Sequence, residues 1–187
     1  GNPEAVQNTT FAIDRTPPSP PAEFQESHNA CNGQWQRTVN TPVFQWAPAS
    51  DATSGVWGYQ FYFDVDPAGV SYQSFLAGDP LTWTPFPAGV RTGTYYLRGR
   101  TRDHAGNFSA WSDLCTFRFD GAPPANPGAA THAAPIASNT WQTTTAIAAF
   151  SWPPAYDEGS GLLGYQIYWG EDPAGASADL QQSNLLQ

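Results

Sequence analysis

Apolar side chains fall on every second position through much of this chain. In VFQW (43–46) Phe44 and Trp46 share a face, and in GYQFYFD (58–64) Tyr59, Phe61 and Phe63 do. In YYLRGRTRD (95–103) Tyr95, Leu97, Gly99 and Thr101 line one face, while Tyr96, Arg98, Arg100 and Arg102 line the other; CTFRF (115–119) also alternates. A period of two describes extended chain with one face buried, whereas a helix would need a period of 3.6. Such short runs, punctuated by Gly, Pro and Asp over a domain of about 100 residues, predict an all-β fold, an antiparallel β-sandwich. With 17 Gly and 18 Pro, the chain is poorly suited to long helices.

The pattern repeats. Phe11 matches Phe117, Trp35 matches Trp141, Phe44 matches Phe150, Trp46 matches Trp152, and Asp51 matches Asp157. Gly58 and Tyr59 match Gly164 and Tyr165, and DPAG at 66–69 returns at 172–175, all at one offset of 106 positions without a gap. That period is the size of a domain rather than a solenoid unit. FAIDRTPPSPP and FRFDGAPPANP each run from a strand-like segment through Asp into paired prolines, as expected of semi-rigid linkers. The expected organisation is therefore 1–16 as the last strand of a preceding module with its linker, 17–122 as a complete module, and 123–187 as a truncated second copy holding only the early strands. A truncated sandwich exposes half a core. The expectation is that the chain continues or that another chain lends strands, with AVQNTTFAID (5–14) a candidate donor.

Composition narrows the functions. The chain of 187 residues has 7 basic residues, all Arg, and a net charge of −9, so it lacks a broad electrostatic footprint for nucleic acid or an anionic membrane. No apolar run is long enough to insert into a bilayer. Two cysteines, Cys31 and Cys115, are too few for a zinc site and leave either a disulfide or two buried thiols.

The motifs FQWAPASD with Trp46, GYQFYF with Tyr59, YYLRGRTRDHAGN with Tyr95, and the DHAGNFS turn (103–109) resemble the fibronectin type III and related bacterial immunoglobulin-like modules. The resemblance covers 17–120 and, in truncated form, 123–187. It implies modules in tandem, Trp46 on the second strand, Tyr59 on the third, and Tyr95 at the tyrosine corner. Trp46, Tyr59, Tyr95, Trp152 and Tyr165 are thereby implied as structural core. Gly99 stands where the family usually carries Val, implying a thinned strand or a close neighbour. Because first and last strands are commonly neighbours in this fold, the resemblance also implies a disulfide between Cys31, placed just before the first strand, and Cys115 on the last. Such a bridge implies export to an oxidising space and an extracellular or cell-surface location.

Candidate chemistry is sparse. A calcium loop built on Asp64, Asp66 and Gly69 loses a ligand in the second copy, where Gly170 replaces Asp64. His28, His104 and His132 do not recur at the repeat offset and read as solvated residues. No catalytic or phosphate-binding motif is present, and adjacent carboxylates such as Asp157–Glu158 are not opposed across a cleft. The expectation is no enzyme, no metal and no cofactor. Trp57 and Trp83 are candidates for a sugar-stacking platform or an interface, against a plainer reading as packing at a sandwich edge. Asn8 and Asn107 head glycan acceptor motifs, although Asn107 is more simply a turn residue.

These features predict a structural or adhesive repeat module of an extracellular bacterial protein: a stalk, adhesin or filament subunit. Its partners would be neighbouring modules or identical subunits, by strand donation in one version. The competing reading is a carbohydrate-binding or accessory module of a secreted hydrolase, with polysaccharide as the partner.

Overall fold

The structure, a computed structural model, describes residues 10–70, 74–78, 81–86, 88–132, 140–143, 147–171, 174 and 180–182. The chain divides into two compact units, Gly1–Asp120 and Gly121–Gln187. The described residues contain strands and turns and no helix. None of them forms a helix long and apolar enough to cross a membrane.

In the first unit the strands are β1 (Ala22–Glu26), β2 (Trp35–Gln36), β3 (Phe44–Ala47), β4 (Val56–Asp64), β5 (Ser74–Ala77), β6 (Thr82–Trp83), β7 (Gly93–Asp103) and β8 (Ser112–Phe119). One sheet has the order β1-β3-β6, the other β2-β8-β7-β4-β5. All pairings are antiparallel except β2 with β8, which runs parallel through Trp35↔Arg118 and Gln36↔Phe119.

The alternation forecast from the sequence is realised on β7, whose burial switches at every residue from Tyr95 to Asp103. The inward faces of the two sheets meet in aromatic rings. Trp46 lies 4.6 Å from Phe61, Phe44 lies 5.2 Å from Phe63, and Trp83 stacks on Phe61 at 5.2 Å between centroids. Phe117 and Tyr95 close the other end of this core around Phe63. Burying each such ring contributes about 1.5–3 kcal/mol, which is why a period-two pattern of Phe, Trp and Tyr is enough to hold the sheets together.

One expectation needs correction. Cys31 follows a strand rather than preceding the first one, because AEFQE at 22–26 pairs with β3. Phe24 is the only aromatic in that segment and its ring lies 5.8 Å from Trp46, so tertiary packing, not alternation, makes it a strand. Residues 10–16, expected to end an earlier strand, carry no strand; residues 1–9 lie outside the described residues.

The second unit contains β9 (Thr131–His132), β10 (Phe150–Ser151), β11 (Gly164–Gln166) and β12 (Leu180–Gln182), paired β10-β9 and β11-β12. The pairing His132↔Phe150 has the register of Glu26↔Phe44. Trp152 meets Tyr165 edge-on at 5.6 Å, and Trp46 meets Tyr59 edge-on at 5.4 Å. Phe150 and Trp169 remain 42% and 78% exposed, whereas Phe44 and Phe63, 106 positions earlier, are fully buried.

Candidate functional site

The loop before β4 is organised by one carboxylate. Asp51 Oδ1 accepts the amides of Thr53, Ser54 and Gly55 at 3.0, 2.8 and 2.9 Å, and Gly55 supplies the positive φ of 78° that lets the chain turn back into β4. Asp157 Oδ1 likewise accepts the amides of Gly159 and Gly161, and Gly161 has a φ of 81°. At the far end of β4 the Tyr62 hydroxyl accepts the Asp66 amide at 3.0 Å. Gly69 lies against the Tyr62 ring where no β-carbon would fit, and Arg98 Nη1 donates to the Gly69 carbonyl at 3.1 Å. Asp66 itself caps its turn by accepting the Ala68 amide. These recurring glycines and aspartates build turns.

The outward face of the five-stranded sheet is different. A register shift between Val56 and Gly58 in the pairing with β7 marks a bulge at Trp57, a device that re-aims a side chain. The Arg102 guanidinium lies over the Trp57 ring at 4.2 Å and 5.4 Å from the Phe108 ring. Arg100 lies over the other partners, Phe108 at 4.1 Å and Trp111 at 4.8 Å. The result is a continuous stack in the order Trp57, Arg102, Phe108, Arg100, Trp111. Each such contact contributes about 0.5–2 kcal/mol depending on desolvation.

Hydrogen bonds fix the stack further. Arg100 Nε donates to Gln60 Oε1 at 2.8 Å, and burial holds the Arg100 pKa below its ordinary value. Arg102 Nε is enclosed without an acceptor. Arg98 pairs with the exposed Asp113 at 2.6 Å; among the described residues neither Arg100 nor Arg102 has a carboxylate within salt-bridge distance.

Three carboxylates meet at the entry to the unit. Asp14, Asp51 and Asp103 place oxygens within 4.8 Å of one another. They are engaged with donors: Asp14 with Thr16 and Ser54, Asp51 with its loop, and Asp103 with the Asn107 amide and side chain at 2.7 and 2.8 Å. Asn107 Nδ2 also donates to the Asp14 carbonyl at 3.2 Å, tying residues 14–16 to the turn after β7. The Asp14 pKa is held below its ordinary value first by the Ser54 hydroxyl and then by the Thr16 amide. On the opposite side, buried Glu26 accepts the amides of His28 and Ala30 and shares the His28 ring nitrogen, so His28 serves a turn.

Cys31 and Cys115 form a disulfide, with α-carbons 5.4 Å apart. Trp46, Tyr59, Tyr95 and Tyr165 are buried and Trp152 is half-buried. The Tyr95 hydroxyl donates to the Arg91 carbonyl and accepts the Arg91 amide.

Trp83 is not a ligand platform: it is 9% exposed and packed between Phe44 and Phe61, so neither ring face is open to a sugar. Trp57 is half-buried with a guanidinium over its ring. Arg100, Arg102, Phe108 and Trp111 were not singled out from the sequence. The usable signal was Arg at alternate positions of β7, followed within ten residues by two aromatics at 108 and 111.

The chain is 29% identical over 162 residues to Chitinase A1 of Niallia circulans. The match covers 87% of this chain and 20% of that protein, so the chain spans about a fifth of its relative's length. No protein-family profile matches the chain. No solved structure matches it significantly.

Proposed function

We propose that this chain is a non-catalytic accessory region of a secreted polysaccharide hydrolase, built from fibronectin type III-like immunoglobulin sandwiches in tandem, with 17–122 complete and 123–187 a second copy. The observation that carries this reading is the similarity to Chitinase A1, which runs through both units yet spans one fifth of that enzyme. The sheet orders β1-β3-β6 and β2-β8-β7-β4-β5, with parallel β2 and β8, support the sandwich, and the matching Trp46–Tyr59 and Trp152–Tyr165 pairs support the tandem. The Cys31–Cys115 bridge supports an extracellular setting.

An accessory module acts by holding or spacing a catalytic domain against insoluble substrate. The test joins this chain to a chitin-hydrolysing catalytic domain and compares sugar release from insoluble chitin with turnover of a soluble chitooligosaccharide. The reading expects faster release from the solid with soluble turnover unchanged; equal rates on both substrates with and without the chain would defeat it.

A second reading, a structural or adhesive spacer assembled with neighbouring modules or identical subunits, draws on the proline-marked repeat. Concentration-dependent assembly in analytical ultracentrifugation, together with an unchanged rate on chitin, would favour it.

A further inference from the structure

We propose that the stack formed by Arg100 and Arg102 with Trp57, Phe108 and Trp111 is a binding site for a polysaccharide bearing carboxylate groups. The inference rests on the hydrolase reading only for the class of polymer; the anion is argued from the face itself. The chain has 7 arginines and a net charge of −9, yet Arg98, Arg100, Arg102 and Arg118 alternate on the outward faces of two adjacent strands. Arg98 is neutralised by Asp113. Arg100 and Arg102 have no carboxylate partner among the described residues.

The stacking decides which ligand fits. A neutral sugar binds aromatic residues by lying on an open ring face, but a guanidinium already takes one face of Trp57 and of Trp111, and both guanidiniums crowd Phe108. What the face still offers is guanidinium edges. Arg100 Nε is spent on Gln60 and Arg102 Nε is enclosed, which leaves the terminal Nη groups as donors. A guanidinium fork matches a carboxylate in plane, and one held between rings loses little freedom on binding. Two such forks, both packed against the Phe108 ring, suit charges spaced along a sugar chain. A DNA duplex, with one negative charge per about 1.7 Å, would bring far more charge than two arginines on an acidic protein can offset.

The probe is soluble polygalacturonate in affinity electrophoresis of the whole chain, beside highly methyl-esterified pectin, which has the same sugar backbone with its charge removed. The expected result is retardation by polygalacturonate that weakens on adding salt, little retardation by the ester, and at least about a tenfold loss of affinity in the Arg100→Gln/Arg102→Gln double variant. Arg37→Gln, on a separate loop, should bind as the unaltered chain does. No retardation at low salt, equal retardation by acid and ester, or full binding by a folded double variant overturns the proposal, as does tighter binding of single-stranded DNA. If the double variant fails to fold, the acid and ester pair still decides. Chitin carries no carboxylates, so failure here leaves the chitin experiment standing and the converse also holds.

Discussion

Gly99 faces Phe61 across the β4–β7 pairing so closely that a β-carbon on it would stand 2.6 Å from Phe61 Cε1 and 2.8 Å from Leu114 Cδ1. The gap in the alternating pattern of β7 is the space the Phe61 ring occupies. Gly99→Ala should overpack this core and lower stability by about 1–3 kcal/mol, with Gly99→Val worse. The urea unfolding midpoint measures it; an unchanged midpoint would mean the ring moves aside freely.

The disulfide closes a loop with a sequence separation of 84 residues. On the chain-entropy account its removal costs about 4–5 kcal/mol. Cys31→Ser/Cys115→Ser should unfold at markedly lower denaturant, and a reductant should lower the midpoint of the unaltered chain while leaving the double variant unaffected.

Asp51 collects three amides on one oxygen, of which the Ser54 amide also reaches Asp14 Oδ2 at 3.1 Å. Asp51→Ala should cost about 1.5–3 kcal/mol, whereas Asp51→Asn, which keeps an acceptor oxygen, should recover part of it. Thermal melts of the two variants give the comparison.

Trp83→Ala should destabilise the fold by about 3–5 kcal/mol, because the ring fills core between Phe44 and Phe61. Trp57→Ala removes a half-buried ring from the outer stack and should cost less. Calorimetry that ranked the two the other way would contradict the packing described above.

Asp14 is held below the ordinary value of 3.8, first by its bond with Ser54, which lies 40 positions away and meets it only in the folded chain. Its folded pKa is therefore lower than its unfolded one. The stabilisation is fully present above the unfolded value and is lost as pH falls through the folded value. The ¹³C shift of its carboxyl carbon should titrate below that of an unstructured aspartate, and Ser54→Ala should move the midpoint back upward.

The sequence made the four long or strongly alternating strands legible because their faces differ in polarity at every step. It did not reveal β1 or β6. AEFQE carries a single buried-type ring, and the two residues of β6 are too few to show any period, so the sequence left Trp83 between a ligand platform and packing at a sandwich edge; it packs into the core from the end strand of its sheet. The outer stack was hidden for another reason. Arginines opposite a buried face look like ordinary solvent positions, and Phe108 and Trp111 reach them from the turn beyond β7, a meeting that depends on folding back through the Arg102↔Phe108 bridge. In the second unit, Trp152 and Tyr165 were readable from the repeat, and Ala155 N donates to Tyr165 as Ala49 N donates to Tyr59.

The Cys31–Cys115 bond, which encloses β2 within its loop, sets how the first unit bears tension. Strands near opposite ends of the first unit lie side by side, and the Asp120 amide extends the pairing to Gln36. Tension applied through residues 16 and 120 crosses from Cys31 to Cys115 through the sulfur–sulfur bond, so β2 at 35–36 lies off its path and its pairing with β8 is not loaded. The chain between the two cysteines cannot be drawn out while that bond holds, so the unit behaves as a short tether with a fixed stop.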